Sequence, residues 1–146
     1  MKQRLLFITG LSLGLWLTGN AQNPPAPVPT GYVYPVETTN KTVWIIGQRP
    51  LDGQGQLVGK GNFNQQLTQA FDNVKTALAS VNLTPANIKQ ITYHIRQLDS
   101  QRANLVRLLQ DENLAGQGNS IVQQKNVARL VGDDMLIEIE VIAVKQ

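Results

Sequence analysis

The last regular stretch of the chain, Met135 to Val144 (MLIEIEVIAV), constrains the fold more than any other. In an extended strand, successive side chains point to opposite faces. The odd positions, Met135, Ile137, Ile139, Val141 and Ala143, are then all apolar. The even positions, Leu136, Glu138, Glu140, Ile142 and Val144, are apolar at both ends with two carboxylates between them. A face bathed in water does not ordinarily place Leu, Ile and Val around its charges. The stretch is therefore expected to be the central rib of a sheet, with helices on one face and another subunit or a ligand on the other. Carboxylates sealed in such a wall are costly, so the slot at Glu138 and Glu140 should reach water or a cation.

The rest of the chain supplies partners for that rib. Tyr32 to Glu37 reads as a short edge strand, because Pro35 is tolerated only at an edge. Thr42 to Gln48 is β-branched and aromatic, a core strand in which Gly47 marks a bend or a close approach. Arg49 to Gly61 carries the turn signals Asp52-Gly53 and Gly55 and reads as a looped excursion. Its Gly59-Lys60 pair does not make a phosphate-binding loop: the earlier glycine, Gly53, is one residue too far away, and Gly61 offers no hydroxyl for magnesium. Asn64 to Val81 spaces Leu67, Ala70, Phe71, Val74, Leu78 and Val81 as the buried stripe of a helix, closed by Asn82 and Pro85.

Ile88 to Leu98 alternates as a half-buried strand, with Ile91, Tyr93 and Ile95 on one side and Thr92, His94 and Arg96 on the other. Asp99 or Ser100 caps a second helix from Gln101 to about Gln110, its buried stripe being Ala103, Val106, Leu109 and Leu105. A loop over Gly116 to Asn119 leads to a strand, Ile121 to Leu130, and Gly132-Asp133-Asp134 turns the chain into the rib. The fold class is α+β: a two-layer sandwich of a mixed β-sheet with two helices on one face.

A chain of 146 residues makes one domain, with or without a leading segment. Lys2 and Arg4, the apolar run Leu5 to Leu17 and the small-residue exit Gly19-Asn20-Ala21 have the proportions of a secretory signal peptide. That run falls short of the roughly 20 residues a bilayer requires. The expected organisation is a signal peptide over residues 1–21, a proline-rich linker over 22–30 and a folded domain over 31–146. With no cysteine in the chain, lipid attachment at the cut, disulfides and thiol chemistry are excluded. The mature protein is expected to be exported, periplasmic or secreted, with no stable membrane insertion after cleavage. Removing Lys2 and Arg4 leaves eleven basic and ten acidic residues, a net charge of +1 that gives nucleic acid no footprint. His94 is the sole histidine and has no carboxylate in its own strand, so neither a metal site nor a cofactor is expected.

Taken in order, GQRPLDGQGQLVGKGNF, the helix with FDNVKTAL, the strand IKQITYHIRQL, then VARL and LIEIEVIAV resemble the Rid (YjgF-type) family of reactive-intermediate deaminases. The resemblance covers about Thr30 to Val144. It implies a chorismate-mutase-like fold, a homotrimer, and small-molecule clefts between subunits against the bare sheet face. It also implies cleft positions at Tyr32, Ile46, Gly47, Val122, Gln123 and Glu138, with Glu138 as the catalytic carboxylate that positions water. The family's carboxylate-clamping arginine, expected just before VARL, is replaced here by Val122, and the residue before Gly47, often serine in the family, is Ile46. Lys125 lies three positions further on, on the opposite sheet face if the strand is regular. Three readings follow: a trimer binding a small molecule other than an α-imino acid, an imine or enamine hydrolase using Glu138 with Arg49 as anion site, and a purely structural trimer.

Overall fold

The computed structural model describes Val36–Glu37 and residues 41–146. Tyr32, the expected signal peptide and the expected linker lie outside the described residues. The elements run β1 (Val36–Glu37), β2 (Thr42–Gln48), α1 (Phe63–Ser80), β3 (Ile88–Arg96), α2 (Ser100–Asn113), β4 (Ile121–Val127) and β5 (Ile137–Val144). They form the two-layer α+β sandwich expected from the pattern. The five-stranded sheet has the order β1-β2-β5-β3-β4, so the rib lies in its middle, between β2 and β3. β3 and β4 are parallel and joined through α2, and every other pairing is antiparallel. Parallel neighbours need such a crossover, which places α2 over one face of the sheet.

The odd positions of β5 are buried, and they align with Val43 and Ile45 of β2 and with Ile91, Tyr93 and Ile95 of β3. Against this face α1 lays Phe63, Leu67, Ala70, Phe71, Val74, Ala77 and Leu78, all buried and all at helical spacing. The side chain of Asn62 caps α1 by accepting from the Gln65 backbone N–H at 3.1 Å. The helix closes where Asn82 takes φ 58° and the Leu83 N–H returns to the Leu78 carbonyl at 2.9 Å.

Several boundaries differ from the sequence expectation, among them the end of β3, which stops at Arg96 and not Leu98. The final strand begins at Ile137, because Gly132 to Met135 form a turn in which the Met135 N–H donates to the Gly132 carbonyl at 3.0 Å. Arg96 ties that turn to the sheet by donating to the carbonyls of Asp133 and Met135. β4 stops at Val127, and α2 continues to Asn113. The stripe of α2 is also shallower than its spacing suggests. Val106 is buried, Ala103, Leu105 and Leu109 are half-buried, and the other buried residue is Gln110. α2 lies over the edge of the sheet, where β4 is the last strand, and the tyrosine hydroxyl beneath it needs a polar partner.

Candidate functional site

The face of the sheet away from the helices carries the even positions of β5. Antiparallel register sets His94 opposite Glu138 and Thr92 opposite Glu140, while parallel register sets Lys125 beside His94 and Gln123 beside Thr92. Trp44 stands opposite Ile142, and Thr42 opposite Val144, on this same face.

Glu138 is held by Arg49, whose Nε donates to Oε2 at 3.0 Å, with the two side chains 27% and 16% exposed. A one-residue irregularity in β2 makes this pairing possible. Ile45 pairs with Val141 but Gln48, not Gly47, pairs with Ile139, so Ile46 and Gly47 together oppose a single residue of β5. Gly47 takes φ 69° within this bulge, a left-handed conformation that a side chain disfavours. The extra residue shifts the alternation by one. Gln48 turns inward, and Arg49 turns to the face where Glu138 waits.

Asn73 of α1 then fixes the backbone after the bulge. It is almost fully buried, and its amide donates to the carbonyls of Arg49 at 2.6 Å and Leu51 at 2.9 Å. Asn73→Ala leaves both acceptors without that donor. It is expected to cost about 1–3 kcal/mol in urea unfolding; an unchanged midpoint would remove Asn73 as the support of Arg49.

The second carboxylate has a different neighbour. His94 Nε2 lies 3.1 Å from Glu140 Oε2, out of line for a hydrogen bond, and that nitrogen is buried without a hydrogen-bond partner. Each carboxylate of the slot expected from the strand's pattern thus faces a basic side chain. Beside them, Glu138, His94, Val127, Arg129, Leu130 and Val131 line an open cavity of about 380 Å³.

The residues singled out in the sequence do not all meet. Glu138 and Gln123 share the open face, and Gly47 forms the bulge that aims Arg49 at Glu138. Ile46 is exposed, and Tyr32 is outside the described residues. Val122 is in register with the helix-facing Ile91 and lies against α2, on the opposite side of the sheet from Glu138. The strand is regular, so Lys125 does lie on the face opposite to Val122. Sequence reasoning missed Asn73 and the His94–Glu140 contact. Asn73 looks like an ordinary polar residue on a helix, and the contact joins residues 46 positions apart. No group of three or more histidine, aspartate or glutamate side chains capable of holding a metal ion occurs among the described residues.

Residues 22–145 match the family described as Endoribonuclease L-PSP. The chain belongs to the Rid (YjgF-type) family. A RutC family protein from Pyrococcus horikoshii is 27% identical over 122 residues, which cover 83% of this chain and 93% of the relative. The Rid family protein YyfB from Yersinia pestis superposes with a TM-score of 0.69 at 23% identity, covering 87% of this chain and 95% of its own. E. coli TdcF, solved with bound serine, superposes with a TM-score of 0.64 at 27% identity over 79% of this chain and 88% of its own.

Proposed function

We propose that this Rid family chain is an exported homotrimer that binds a small molecule in clefts between subunits and lacks arginine-dependent imine deaminase activity. The observation that carries the reading is the sheet face opposite the helices. Trp44, Ile142 and Val144, each half-buried, flank two carboxylates there, and neither described helix lies on that side of the sheet. A second copy of the chain supplies the missing layer. Placement of Val122 and Glu138 on opposite sides of one sheet supports the same assembly, since a cleft holding both must draw them from two copies. The bound serine of E. coli TdcF supports a ligand of that size.

Valine at the clamp position removes a pair of charge-assisted hydrogen bonds worth roughly 1.5–3 kcal/mol each. Export rests on the signal-like residues 1–21, and the near-neutral body offers RNA no basic track. Among the described residues, no helix is long and apolar enough to cross a membrane.

One observation favours hydrolysis as a second reading. Arg49 takes only Oε2 of Glu138, and Oε1 has no hydrogen-bond partner among the described residues, leaving it able to hold a water. An assay decides between the two. 2-Iminopropanoate is generated in situ by an amino-acid oxidase and trapped with semicarbazide. The binding reading expects no faster imine loss at micromolar protein. Acceleration that vanishes in Glu138→Ala establishes the hydrolase instead. Sizing of the mature protein should give a trimer, and a monodisperse monomer overturns the assembly.

A further inference from the structure

We infer that the contact between His94 and Glu140 couples assembly to pH: closing the open sheet face under a second copy takes up a proton at this pair. The inference rests on the trimer reading for what covers the face, and it adds how that assembly is regulated. Both side chains stand on the side of the sheet away from the helices, His94 on β3 and Glu140 on β5. Nε2 of His94 lies 3.1 Å from Oε2 of Glu140, with the side chains 22% and 38% exposed. The nitrogen is buried and has no hydrogen-bond partner, which is unfavourable as it stands. A second proton on the ring makes Nε2–H a charged donor, and a small turn of the half-exposed carboxylate then closes an ion pair.

The other charges around the pair are engaged elsewhere or lie aside from Glu140. On β5, Glu138 stands opposite His94, and Arg49 meets its charge at 3.0 Å. On β3, Arg96 donates to the carbonyls of Asp133 and Met135. On β4, Lys125 is in register with His94 but is two strands from β5, about 10 Å at the usual spacing. Arg129 lines the cavity beside His94 and Glu138. Neither Lys125 nor Arg129 forms an ion pair with a described residue. Toward β2, Glu140 faces the bulge at Ile46 and Gly47, which carries no charge. Among the described residues, His94 is therefore the one basic side chain that meets Glu140.

In a single chain, water reaches Glu140 and carries much of the burden of its charge. A second copy laid on the face removes that water, and a carboxylate sealed without a counter-charge is costly. The proton on His94 supplies the counter-charge. Imidazole is the side chain whose charge ordinarily changes between about pH 5 and 8, and His94 is the sole histidine of the chain. By linkage, an assembled state that binds more protons than the separate chains is favoured in mild acid and weakens as pH rises. Each copy brings its own pair, so the protons add and the response steepens.

The test is sedimentation of the mature protein over a dilution series between about pH 5.5 and about pH 8.5, at fixed ionic strength. A single fixed urea concentration brings tight assembly into range. The assembly constant should fall with rising pH, at its steepest by about tenfold or more per pH unit, the value for one proton released per trimer. His94→Gln puts a neutral amide donor beside the carboxylate, and Glu140→Gln removes the charge that calls for the proton. Both variants should assemble without that slope. A trimer indifferent to pH, or a slope that survives in either variant, overturns the switch and leaves the assembly standing. A monomer at every pH and concentration overturns the assembly, and the switch with it.

Discussion

Ile139→Ala is expected to lower folding stability by about 2–5 kcal/mol. Ile139 is fully buried at the centre of β5, in register with Gln48 on one side and Tyr93 on the other. Its neighbours are packed from both layers, so the space left by the missing carbons cannot collapse easily, and transfer and cavity terms add. The measurement is urea unfolding, in which the midpoint should fall while the slope stays constant. The residues on either side of Ile139 are Glu138 and Glu140, so loss of this anchor should also loosen the Arg49 pairing. A midpoint shift corresponding to less than about 1 kcal/mol would mean that the rib is not the centre of the core.

Gln66→Leu should be as damaging, for the opposite reason. Gln66 is fully buried, and its side chain makes three hydrogen bonds: Nε2 donates to the carbonyls of Gly59 at 3.1 Å and Asp134 at 2.9 Å, and Oε1 accepts from the Leu136 N–H at 2.8 Å. Leucine fills nearly the same space but leaves three backbone groups without these partners. Each unsatisfied group costs about 1–3 kcal/mol, so a total loss of at least about 3 kcal/mol is expected. Hydrogen exchange at the Leu136 amide should quicken in parallel. Stability within about 1 kcal/mol of the parent, with that amide still protected, would show that the three segments are held together by something else. The clip matters to the site because it joins the loop before α1 to the entry of β5, two residues ahead of Glu138.

The parts of the fold that repeat at a fixed period were legible in the sequence. β5 declares both of its faces through alternation, and α1 declares its stripe from Leu67 to Leu78. Asn82 and Asp99 mark one helix end and one helix start by their own chemistry. The site was legible only in outline. Glu138 stood out as a charge in an oily strand, yet its partner lies 89 positions away, and no local pattern links the two. Val122 and Glu138 were grouped by family resemblance, whereas strand direction and register place them on opposite sides of a single sheet.

The bulge at Ile46 and Gly47 carries a consequence for how this segment can vary. Whichever residue follows it, the number of residues between Ile45 and Arg49 decides which layer the guanidinium enters. Losing one residue there would drive a permanent cation into the oily interior beneath α1 and strand Glu138 without its counter-charge. Side chains in this stretch can be exchanged at modest cost, but its length works as a parity bit: an even change preserves the pairing, and an odd one inverts it.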